Sequence, residues 1–191
     1  MNVASLLHAL PVDAFLAFAV FCRIGAFFMT APAFGDFSLS PRLRLAAALA
    51  VAAALAPPLG ALYPKWSGEA GLAGMTALLF GEILAGGFLG LIARAFASAL
   101  NVAGQVIALQ SGFSLAQIFD PSQQLQGAIV GGFLAVLGTT MIFATDLHHL
   151  MLQALADSYA LMAPGALPRF GDMSEAAVDA VGAAFSLGFR L

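Results

Sequence analysis

NVAGQVIALQSGFSLAQIFDPSQQLQ, residues Asn101–Gln126, lies between strongly apolar stretches and sets what kind of fold the chain can have. It is polar and glutamine-rich, with a turn signal at Asp120-Pro121. Connections in compact proteins are usually about 4–6 residues long, so an interval of this length is not a simple linker. Hydrophobic teeth (Val106, Ile107, Leu109, Phe113, Leu115, Ile118 and Phe119) alternate with its polar residues. A solvated loop needs no such teeth, and a lipid-facing helix would not carry so many glutamines. The pattern suits a segment tucked inside a protein assembly or lining an aqueous path, where irregular backbone is tolerated at membrane depth.

Working outward, the composition explains the setting. The chain has 191 residues, of which 61% are hydrophobic and 9% charged, against about 25% charged in ordinary soluble domains. The expected fold class is therefore all-α, an integral membrane protein of long kinked helices and helical hairpins. Its length accommodates about four or five spans of roughly 20 residues. No polar region is long enough for a soluble domain, and no internal repeat is visible, so residues 1–191 read as a single membrane domain. The one cysteine, Cys22, excludes an internal disulfide. A net charge of −3 with so few basic residues argues against a nucleic-acid surface. Met1–Leu10 lacks Lys and Arg, and the apolar run from Val12 to Phe34 is too long for a signal core, so it reads as a retained span despite the faintly cleavable Ala31-Pro32-Ala33.

The helices are expected at 12–30, 43–56, 71–100, 127–145, 147–162 and 174–191, with the irregular segment at 101–126. Pro57-Pro58 should stop the second helix. The loop that follows holds Lys65 and Trp66, the latter an interfacial anchor by type. Arg42 and Arg44, the one positive cluster near a span, would make the first connection cytoplasmic.

These helices are poor lipid solutes. The second is mostly alanine, which contributes little burial energy. Arg23, Glu82 and Arg94 lie inside apolar runs, each costing about 2.5–3.5 kcal/mol at a bilayer centre. The pairs Gly86/Gly90 and Gly127/Gly131 allow close backbone approach. On the third helix Gly87, Gly90, Arg94, Ser98, Asn101 and Gln105 fall on one face at steps of three or four. That small, polar face is either a packed seam or the lining of a passage. Glu82 lies about 120° from Arg94, so the two should not pair within the helix.

Enzyme chemistry finds little support. Asp146, His149, Gln153 and Asp157 share a helical face, with His148 adjacent. Consecutive histidines should diverge by about 100° and so not bind one ion together. The chain contains no H-E-x-x-H, no G-x-S-x-G and no phosphate loop. Neither catalytic residues, a metal nor a cofactor is expected.

Several motifs taken together resemble the family of flagellar biosynthetic protein FliR, a component of the type III secretion export gate. They are Arg23-Ile24-Gly25-Ala26-Phe27-Phe28 with Thr30-Ala31-Pro32, then Pro41-Arg42-Leu43-Arg44, then Ala103-Gly104-Gln105. They continue through Gln110-Ser111-Gly112-Phe113-Ser114-Leu115-Ala116, Asp120-Pro121, His148-His149, Ser158 and Pro164-Gly165. The resemblance runs through nearly the whole chain, and its glutamine-rich central segment leans flagellar rather than injectisome.

The resemblance implies a non-catalytic role in the inner membrane at the flagellar basal body. FliP-like and FliQ-like proteins would be the partners, alongside FlhB-like and FlhA-like export components, and unfolded flagellar subunits the cargo. It also implies that the central segment plugs the closed channel, with Gln110, Gly112, Phe113, Ser114, Leu115, Ile118, Phe119 and Asp120 as plug residues. Arg23, Glu82, Arg94, Ser98, Asn101 and Gln105 would then be the polar seam or assembly residues. Two departures stand out. Gln105 occupies a place where the family often has an acid, and the chain stops at Leu191 inside an expected helix, before a FliQ-like C-terminal part. A shortened gene or a fragment is the expectation from that last feature. The rival readings are a small-solute transporter or ion-channel subunit, which would share the glycines and intramembrane charges, and a membrane scaffold with no conduit.

Overall fold

The computed structural model describes residues 12–35, 39–63, 71–111, 125–165 and 170–190. Among them the secondary structure is helical, with no strand. The helices are α1 (Val12–Thr30), α2 (Pro41–Leu59), a 3₁₀ turn (Gly60–Leu62), α3 (Gly71–Gln110), α4 (Leu125–Ala144), α5 (Leu147–Leu161) and α6 (Phe170–Arg190). The all-α membrane class is what the structure shows. Among the described residues two helical stretches, Pro41–Leu62 and Gly71–Gln110, are long and apolar enough to cross a membrane, and the broken α4–α5 pair makes up to three.

The chain divides into two compact units. One comprises Met1–Leu91 with Leu150–Met173, the other Ile92–His149 with Ser174–Leu191.

In the first unit, α1 buries Val20, Ile24, Phe27, Phe28 and Ala31, spaced as one helical face. The helix closes through Ala31 N–H to Phe27 O (2.8 Å) and Gly35 N–H to Ala31 O (2.8 Å). Pro32, which has no N–H to offer, and Ala33 at φ 68° turn the chain away. Ser40 then caps α2, its Oγ accepting from Leu43 N, and Pro41 takes the first helical position, where its missing N–H costs nothing.

On α2 the alanines Ala48, Ala52 and Ala56, with Leu59, face the core, while Leu43, Leu45 and Leu49 are more than half exposed. Small side chains allow this helix to pack closely, while Leu43, Leu45 and Leu49 point away. The helix continues through Pro57 and Pro58 to Leu59, past the stop expected at Ala56. Proline's fixed φ is compatible with a final turn; what is lost is donors to the carbonyls one turn back, on the exposed Ala53 and Ala54. Leu78, Leu155, Tyr63 and Tyr159 complete this core.

In the second unit α3 continues ten residues beyond the expected end at Leu100, to Gln110. Ala99, Ala103, Gly104 and Ala108 are buried there. At Gly104 a Cβ would overlap the backbone of Gly131 on α4. On α6 the buried Ala180, Ala184 and Gly188 form a small-residue stripe, and a Cβ at Gly188 would meet Ala99 O and Val102 Cβ, each at 2.8 Å. Backbone approach this close favours helix for Asn101–Gln110 over the irregular strip expected. Ser111 ends it, its Oγ donating to Ile107 O at 2.8 Å.

Candidate functional site

Arg23, in the middle of α1, is 2% exposed. A guanidinium so deeply buried needs partners for its donors, and the fold supplies them from three directions. Nε donates to Glu82 Oε2 at 2.7 Å and Nη2 to Glu82 Oε1 at 3.2 Å, a bidentate pair with α3. Nη2 also donates to the carbonyl of Met162 at 2.9 Å, and Nη1 to Ser158 Oγ at 3.3 Å. The Arg23 Cζ sits 4.0 Å from the ring centroid of Tyr159, a cation–π distance. Ser158 Oγ itself donates to Leu155 O at 2.6 Å. One arginine thus ties α1 to α3 and to the end of α5.

Tyr63 closes the group, its ring 6.3 Å from that of Tyr159. Burial first, and the neighbouring Tyr159 phenol second, push the Tyr63 phenol above its ordinary range. Both phenols are buried, and among the described residues neither oxygen has a hydrogen-bond partner.

The approach that brings Glu82 to Arg23 depends on glycine one turn later. A Cβ on Gly86 would overlap the carbonyl of Arg23, and one on Gly90 would overlap Thr30 Oγ1 and lie 3.0 Å from Phe27 O. Thr30 Oγ1 in turn donates to Gly87 O at 3.2 Å. Chemically this is a clamp. Both carboxylate oxygens of Glu82 are occupied by Arg23.

Of the residues expected to share a polar seam, Arg23 and Glu82 pair within the first unit. Gly90 packs against α1, whereas Arg94, Ser98, Asn101 and Gln105 are exposed in the second unit. Ser98 Oγ bonds Ala95 O at 2.6 Å within its own helix. The expected plug residue Gln110 is the exposed last residue of α3. Gly112, Phe113, Ser114, Leu115, Ile118, Phe119 and Asp120 lie outside the described residues, as do Lys65 and Trp66. Nothing local in the sequence marks Tyr63, Tyr159 or Met162, whose carbonyl meets Arg23 across 139 positions.

The histidine geometry corrects the sequence argument. His148 and His149 do not diverge: their ring centroids are 4.1 Å apart. His149 Nδ1 lies 3.6 Å from Asp146 Oδ1. An imidazole turned about χ1 and χ2 can swing well away from its Cα–Cβ direction, and the first turn of a helix leaves room to do so.

Residues 14–191 match the model of the family described as bacterial export proteins, family 1. The flagellar biosynthetic protein FliR of Caulobacter vibrioides is 36% identical over 184 residues, covering 96% of this chain and 72% of that protein. FliR of Bacillus subtilis is 32% identical over 84% of this chain, which spans 61% of that protein. FliR of Pectobacterium carotovorum is 32% identical over 90% of this chain, which spans 64% of it. With its buried clamp, its glycine-mediated packing and a family match running almost end to end, the chain belongs to the bacterial export proteins family 1, the family of the flagellar FliR proteins.

Proposed function

We propose that the chain is a structural, non-catalytic component of the flagellar type III protein export gate. In this reading it sits in the bacterial inner membrane at the flagellar basal body, and residues 1–191 act as one membrane domain. With FliP-like and FliQ-like proteins it forms the channel that passes unfolded flagellar subunits, in company with FlhB-like and FlhA-like components. The observation that carries the reading is the family match over residues 14–191. The physical features agree with it: buried charge answered inside the protein, helices joined through glycine, and large apolar groups left outward for partners or lipid.

The segment from Gln110 to Asp120 is the plug of the closed channel in this proposal. It follows directly on α3, whose last residue is Gln110. Phe113, Leu115, Ile118 and Phe119 supply occluding groups, and Gly112 supplies the backbone freedom to move. Deleting Phe113–Phe119 in otherwise intact cells should make the resting membrane leak ions or small solutes. An assembled complex carrying the deletion with unchanged leak would contradict the plug.

A further inference from the structure

We propose that Asp146, His148 and His149 form a binding site for a divalent first-row transition metal ion, zinc being the occupant the donor set fits best. α4 ends at Ala144 and α5 begins at Leu147. Between them Asp146 adopts φ 58°, a left-handed conformation that aspartate tolerates better than most residues. Its amide reaches Phe143 O at 3.4 Å, and its carbonyl accepts from His149 N–H at 3.0 Å. This turn places the Asp146 carboxylate beside the first turn of α5, on the side to which both imidazoles lean.

One ligand atom from each of the three residues lies within 4.8 Å of the other two. Metal–ligand bonds of about 2.0–2.2 Å put neighbouring ligand atoms roughly 3.4 Å apart in a tetrahedral shell, so about an ångström of closure completes the site. The side chains of His149 and Asp146 are 69% and 77% exposed, so they can close that distance by rotamer adjustment alone.

A second observation points the same way. His148 Nδ1 is buried, with the Phe143 ring 5.3 Å from its own ring between centroids, and has no hydrogen-bond partner among the described residues. A buried imidazole nitrogen without a partner costs free energy unless something supplies the bond, and coordination of a metal ion at that nitrogen would supply it. The positive end of α5 opposes a cation, and the Asp146 carboxylate offsets that charge. Two imidazoles and one carboxylate suit zinc, cobalt or nickel rather than calcium or magnesium. Three protein ligands leave at least one position for water or another group. Because every ligand lies in the break or the first turn of α5, an ion there would stiffen the corner between the two helices.

The test uses the full chain purified in detergent with a tag free of histidine, titrated with Co²⁺ as a spectroscopic probe and then with Zn²⁺ in competition. The expected result is one ion per chain, visible d–d absorption, and displacement by Zn²⁺. His148→Ala, His149→Ala and Asp146→Asn should each weaken binding at least tenfold, with helical circular dichroism retained. His8→Ala, which alters the chain's third histidine, should leave it unchanged. Electron paramagnetic resonance of the Cu²⁺-loaded unaltered chain should show two coordinating imidazole nitrogens, a readout that needs no variant to fold. Absence of saturable binding, one nitrogen or none in the spectrum, or binding lost on His8→Ala and kept in the His148→Ala/His149→Ala double variant would overturn the site.

Discussion

Arg23 and Glu82 each carry a charge into an interior where 2% and 1% of the side chain remains exposed. A buried pair of this kind adds little net stability compared with a well-packed apolar pair, yet removing one partner strands the other. Arg23→Leu should therefore destabilise the protein by about 3–5 kcal/mol, measured by equilibrium unfolding in detergent. The double change Arg23→Leu/Glu82→Leu should recover most of that loss. A double variant as unstable as the single one would show that Ser158, Tyr159 and the Met162 carbonyl matter more than the ion pair. That both residues would be costly in an apolar run was legible in sequence. Their pairing was not, because helical spacing relates neighbours within one helix and says nothing about residues 59 positions apart.

Helices in this chain meet through residues that are nearly absent as side chains. Gly86 lies against the Arg23 carbonyl, whereas Gly87, one position on, has open space around its Cβ direction. The two therefore make a matched comparison. Gly86→Ala forces α1 and α3 apart and should cost about 1–3 kcal/mol, as overpacked cores do. Gly87→Ala should be neutral or stabilising by up to about 1 kcal/mol, the usual helix gain of alanine over glycine. Thermal unfolding of the two variants side by side separates these outcomes; equal destabilisation would deny the close approach at Gly86.

The small-xxx-small spacing of Gly86 and Gly90 was visible in the sequence and has its counterpart in the α1 contact. The extent of α3 was not legible. Asn101–Gln110 carries glutamines and glycine, poor signs for a long buried helix, but the contacts of Gly104 and the Ala99–Val102 stretch with α4 and α6 override that local bias. Consecutive histidines misled for a related reason: the spacing rule describes Cβ directions, and Asp146's left-handed turn together with imidazole rotation determines where the rings end up.

At the scale of the whole molecule, the first unit is held by a clamp across three helices and the second by glycine and alanine stripes. The membrane class is legible in composition, because 61% hydrophobic and 9% charged residues lie far from the roughly 25% charged share of soluble domains. Family membership rests on motifs dispersed through the chain and on the match over residues 14–191. In the proposed gate the stretch after Gln110 meets the exported chain. A photo-crosslinking amino acid placed at Phe113, in cells carrying an export substrate arrested by a folded C-terminal domain, tests it most directly. The expected result is a crosslink to the substrate that vanishes when no substrate is arrested. Crosslinks confined to neighbouring gate proteins, in complexes shown to hold arrested substrate, would contradict it.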